Sequence, residues 1–188
     1  MTMSGYPLMH HGRRFVGFGF LSGVLFLACT RDLYLDFVPA VLLLFFLLLV
    51  SAYDAIYGLI FNRLLLPMGC MALFFAVGKG EAPLAAAASG AVLGFLLLFG
   101  LRVLSRGGIG GGDVKLVFVL GFWLGAEGVL LTLFAAFFLG GLAAAFLLAF
   151  HQADADAKIA FGPFLSFGAY ISLLYGQSLL TLYEEMFS

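Results

Sequence analysis

Residues 37–54 read FVPAVLLLFFLLLVSAYD, a run that carries no charge until Asp54 closes it. A helix of about 20 apolar residues crosses the hydrocarbon core of a bilayer, so this stretch predicts a membrane span with a carboxylate at its end. Working outward, charges and turn residues divide the chain into candidate spans at roughly 15–30, 37–53, 59–77, 84–101, 114–126, 129–150 and 159–182. The pattern predicts an all-α, polytopic transmembrane helix bundle of six to seven spans, forming one integral-membrane domain over residues 1–188. The fifth span is the short one. Residues 114–124 fall well below the ~30 Å of a full crossing unless the helix begins inside the glycine loop before them.

Composition supports the same class. Of the 188 residues 64% are hydrophobic and only 10% charged, with a mean hydropathy of +1.15. A soluble domain is roughly a quarter charged, so this chain lacks the polar surface to face water. Nine basic against ten acidic residues give a net charge of -1, which supplies no cationic field for nucleic acid. Cys29 and Cys70 lie in apolar runs without a C-x-x-C partner and read as packing residues. Arg13 and Arg14 before the first apolar run have the outline of a signal peptide, but a first anchor helix accounts for the same pattern.

Basic residues concentrate on the cytoplasmic side of short membrane loops. An N-terminus inside the cell places Arg13, Arg14, Arg63, Arg102, Arg106, Lys115 and Lys158 in the cytoplasm and leaves only Arg31 and Lys79 outside. The same assignment puts Asp54 and Asp113 at the cytoplasmic ends of their spans, because two helices between them return the chain to its starting side.

Carboxylates at membrane depth are costly and are retained with a partner, a wet cavity or a function. Asp54 could be an interfacial residue facing Arg63. Asp113 follows the loop Gly107-Gly108-Ile109-Gly110-Gly111-Gly112, and a helix N-terminus favours an anion there, so capping alone could explain it. Glycines at that density also admit a second backbone without a Cβ in the way, as an extended peptide requires. Two carboxylates that share one proton form an acid/base couple able to activate water and protonate a peptide oxygen.

At these residues the chain resembles the type IV prepilin peptidase family, membrane aspartic proteases of the GxGD kind. The resemblance rests on Gly110, Gly112 and Asp113 with the trailing Val-Lys-Leu, on Asp54 followed by Ile60-Phe61-Asn62, and on Phe161-Gly162-Pro163-Phe164-Leu165. Phe61 stands where the family usually has proline. The resemblance implies a catalytic pair Asp54 and Asp113, with Gly110, Gly112, Lys115, Asn62, Phe161, Gly162 and Pro163 as substrate contacts. It also implies a prepilin or pseudopilin precursor as substrate and an active site facing the cytoplasm from the inner membrane. Neither metal nor organic cofactor is expected. The cysteine domain of larger members is not seen in these residues, and methyltransferase activity is not expected.

The remaining polar features read as ordinary. His10 and His11 sit outside any span, and His151, Gln152, Asp154 and Asp156 read as a solvated turn rather than a metal site. Trp123 is expected to anchor the outer interface, and Lys115 to meet lipid headgroups if it does not serve Asp113. Two other functions stay open on the sequence: a small transporter or proton-coupled channel using the two aspartates, and a pilus-assembly accessory protein in which they are structural. The substrate system and oligomeric state are not legible.

Overall fold

The computed structural model describes residues 37–149 and 160–187. Within them are five helices: α1 Phe37–Tyr57, α2 Asn62–Lys79, α3 Glu81–Leu104, α4 Gly111–Ala149 and α5 Gly162–Phe187. There is no strand among the described residues. Three stretches are long and apolar enough to cross a membrane: Val38–Tyr57, Glu81–Leu104 and Gly111–Phe146. The expected span at 15–30, His10, His11, Cys29 and the 151–156 turn lie outside the described residues.

The fifth and sixth expected spans merge into α4, and their junction differs from the expected gap at 127–128. Gly125 breaks the helix with φ 71 and ψ -176, a backbone state open to glycine and strained for side chains with a Cβ. The break is a fold-back. A Cβ placed on Gly94 would lie 2.8 Å from a methyl of Val117 and 3.0 Å from one of Val129. A straight helix would hold those two valines about 18 Å apart. Residues 111–124 and 126–149 are therefore two limbs of one hairpin. Just past the turn, the Gly128 carbonyl accepts from the hydroxyls of Thr132 at 2.8 Å and Ser172 at 2.9 Å, which pins α5 beside the second limb.

Small residues set the approach of α3 to α4. Ala87, Gly90, Ala91 and Gly94 are buried along one stripe of α3. A Cβ on Gly90 would overlap the backbone of Gly121 and Gly125, and one on Gly121 would overlap Gly90 and Ala91. Close backbone contact between small residues is how helices associate where lipid removes the hydrophobic driving force. The interior is sealed by Leu43, Val50, Met68, Leu98, Leu116, Leu120 and Leu165, all essentially inaccessible. Large apolar side chains instead cover the outside, with Leu66 68%, Phe134 71% and Phe74 75% exposed, as a lipid-facing surface allows.

Pairings along the helices fix their directions. Gly94 meets Val117 and Gly90 meets Gly121, so α3 runs antiparallel to the first limb. Gly140 meets Phe161 while Gly128 meets Ser172, so α5 runs antiparallel to the second. Asn62 bonds to Lys115 and Met68 to Trp123, so α2 runs with the first limb. Asp54 bonds to Gly162 while Ala40 shares an apolar cluster with Tyr170 and Leu174, so α1 opposes α5. The C-termini of α1 and α3 thus gather at one end with the N-termini of α2, α4 and α5.

Candidate active site

That end of the bundle holds both aspartates. Asp54 sits in the last turn of α1, which stops at Gly58, whose amide bonds back to the Asp54 carbonyl at 2.8 Å. Asp113 is the third residue of α4. They are 6% and 8% exposed and within electrostatic reach of each other.

Each carboxylate is held by one glycine amide. Asp54 Oδ2 accepts from the Gly162 N–H at 2.8 Å, across 108 residues of chain. Asp113 Oδ2 accepts from the Gly110 N–H at 3.2 Å. Both donors are orphan amides at helix N-termini, where the first turn has no intrahelical acceptor and the dipole favours an anion. For Asp113 the contact is half of a capping box, the side chain of the third helical residue reaching back to the amide before the helix. The capping role expected for this residue is therefore present, through Oδ2.

The two glycines answer a steric demand as well. A Cβ on Gly162 would lie 2.5 Å from Asp54 Oδ2, and one on Gly110 would lie 2.6 Å from Asp113 Oδ2. Each carboxylate occupies the space that a side chain would take, so Gly110 and Gly162 are fitted to the aspartates. Gly112 differs: a Cβ there would meet Ile60 Cβ at 2.9 Å. Its missing side chain lets the segment after α1 pack on the glycine loop, rather than leaving the position open to a second backbone.

The other expected contacts divide. Pro163 follows Gly162 in the first turn of α5, where its missing N–H costs nothing and where Phe161 O receives the amides of Phe164 and Leu165. Lys115 donates to Asn62 Oδ1 at 3.2 Å on the exposed side of α2. Trp123 is not a free interfacial anchor: its indole donates to Met68 O at 3.1 Å and its ring lies 6.0 Å from that of Phe75, tying α2 to α4. Arg102 was given only a topological role by the sequence, yet its guanidinium donates to Ile109 O and lies 3.5 Å from where a Cβ of Gly111 would sit. It holds the glycine loop from the last turn of α3. The signal was available, since a basic residue near a helix C-terminus and a few residues before a loop can cap that loop's carbonyls. No cluster of metal-ligating residues occurs among the described residues.

Residues 41–145 match the model of the type IV leader peptidase family, a segment that includes both aspartates and the loop between α3 and α4. This chain belongs to that family. Among curated relatives, the prepilin leader peptidase/N-methyltransferase of Bacillus subtilis is 32% identical over 81% of this chain and 61% of its own length. Proteins of the same name from Aeromonas salmonicida, at 31% identity over 78% of this chain, and Pseudomonas aeruginosa, at 32% over 74%, are covered over 52% and 50% of their lengths. The chain spans about half to three fifths of the curated relatives it matches. No solved structure matches it. Membership in a leader peptidase family, together with three helices of membrane-crossing length, makes this a membrane protein of a protease family.

Proposed function

We propose that the chain is an aspartic endopeptidase of the inner membrane that removes the basic leader from type IV prepilin or pseudopilin precursors at the cytoplasmic face. The observation that carries the reading is the pair of buried carboxylates at one end of the bundle, each fixed by a single glycine amide. Among the described residues, this end also carries Arg63, Arg102, Arg106 and Lys115, the basic side expected to face the cytoplasm. With a first span before α1, and the α4 hairpin counted as two passes, the chain crosses in seven segments, N-terminus inside.

In the proposed reaction one aspartate is ionised and the other carries a proton. The ionised carboxylate takes a proton from a water molecule as its oxygen bonds to the scissile carbonyl carbon, and the neutral one protonates the carbonyl oxygen. Collapse of the tetrahedral intermediate breaks the C–N bond, with the proton returned to the leaving amine. The scissile backbone is proposed to reach the two carboxylates beside Phe161 and Pro163, while Gly110 and Gly162 seat the aspartates and Gly112 receives Ile60. The apolar segment after the leader rests in the groove between the second limb of α4 and α5, about 710 Å³ and lined by Leu142, Phe146, Pro163, Phe164 and Phe167, which opens beside the Asp54 contact. Among the described residues no charged side chain lines it, as an apolar helix requires.

The test is cleavage of a leader-bearing precursor in proteoliposomes. Asp54→Asn and Asp113→Asn each keep volume and much of the hydrogen bonding but cannot exchange the proton, so each is expected to lose cleavage by about 10²–10⁴-fold, the usual contribution of one acid or base. Processing by either variant near the wild-type rate overturns the assignment.

A further inference from the structure

A second groove runs between α2 and the first limb of α4, about 480 Å³ in volume, walled by Leu66, Gly69, Leu73, Phe118 and Phe122. Its lining is apolar except at one end, where Lys115 and Asn62 meet. The Lys115 ammonium donates there to a neutral amide, so its charge is not cancelled by that partner. An apolar channel closed by a cation and an amide matches a molecule with a hydrocarbon tail and an anionic head.

Size decides what kind of tail. From Asn62 to Leu73 the groove follows α2 for about 16 Å at 1.5 Å per residue. One leaflet of the hydrocarbon core is about 15 Å deep, half of ~30 Å. The groove therefore starts at the headgroup level and ends near the midplane, the reach of one acyl chain. Leu66, on the outer wall, is 68% exposed, so the groove opens sideways to lipid.

We propose that this groove binds one acyl chain of an anionic phospholipid, with its phosphate against Lys115 and Asn62. The inference needs only that the bundle sits in a bilayer and stands apart from the peptidase assignment. A bound lipid would wedge against α2 and the first limb of α4, the two elements that Trp123 and the Lys115–Asn62 bond already join.

Trp123 provides the reporter. It is the one tryptophan in the chain, and it lies one helical turn, about 6 Å, beyond Val119 in the groove wall. The full chain is placed in phosphatidylcholine vesicles with a fixed mole fraction of mid-chain brominated lipid, either phosphatidylglycerol or phosphatidylcholine, and quenching of the indole is read. The expected result is a roughly five-fold higher relative affinity for the anionic brominated lipid, the amount one lysine contributes near an anionic head. Lys115→Gln should bring the two lipids to equality. Gly69→Leu, whose added atoms start at ordinary contact with Val119, 3.6 Å away, should fill the groove and weaken quenching by both. Equal quenching of the wild-type protein by the two lipids overturns the proposal, as does a preference that survives Lys115→Gln. Quenching without lipid preference that falls when a leader-bearing precursor is added would give the groove to the substrate helix and equally overturn it.

Discussion

Replacing Gly162 with alanine tests whether the glycines serve the aspartates. The new Cβ would start 2.5 Å from Asp54 Oδ2, 2.9 Å from Cγ and 3.0 Å from Cβ of the same residue. Ordinary contact begins near 3.4 Å, so the oxygen must retreat by about 0.9 Å. That stretches a 2.8 Å hydrogen bond to about 3.7 Å, beyond bonding range. A hydrogen bond to a charged acceptor contributes about 1.5–3 kcal/mol, and alanine returns up to ~1 kcal/mol of helix propensity. Folding stability should therefore fall by about 2 kcal/mol or less. Catalysis should suffer more, because a reactive group misplaced by about 1 Å costs on the order of 10²-fold. The assay is initial-rate cleavage of a leader-bearing precursor beside a thermal melt, with Gly141→Ala as control, since nothing lies within 4 Å of a Cβ there. Full activity in Gly162→Ala would refute the idea that Asp54 must rest on a bare amide.

Two further outcomes separate the glycines of the loop and test the bundle's orientation. Gly110→Val should displace the Asp113 carboxylate, whose oxygen lies 2.6 Å from the new Cβ, and lose cleavage with a small change in melting temperature. Gly112→Val should instead press on Ile60 at 2.9 Å and destabilise the fold by about 1–3 kcal/mol through overpacking; equal melting of the two variants would contradict the distinction. A topology reporter at Gly80 should read outside and one at Arg106 inside, and an inside signal at Gly80 would reverse the assigned face of the aspartates.

The helices were legible because apolar runs are local, and so was the common end of Asp54 and Asp113, which follows from counting passes. Boundaries moved where local cues were weak: α3 extends to Leu104 past Arg102, because a long charged side chain at a helix end can turn back to a loop carbonyl. Gly162 could be placed on a motif, but not against Asp54, since a contact spanning 108 residues leaves no trace in local sequence. The same holds for Gly112 with Ile60 and for Trp123 with Met68. The turn at Gly125 was hidden for another reason. Many glycines punctuate this chain, and only the φ of 71 and the meeting of Val117 with Val129 at Gly94 single out the one that reverses it.

The hairpin at Gly125 has a consequence for the surrounding membrane. Residues 111–124 rise only about 21 Å before the chain turns, some 9 Å less than the hydrocarbon thickness of an average bilayer. A short hydrophobic length draws the lipid in toward itself, at a cost of fractions of a kcal/mol per ångström of mismatch. With Lys115 at headgroup level, the bilayer beside this limb is expected to be dimpled on the side of Gly125. In vesicles of shorter-chain lipid the mismatch disappears, and the dimple with it.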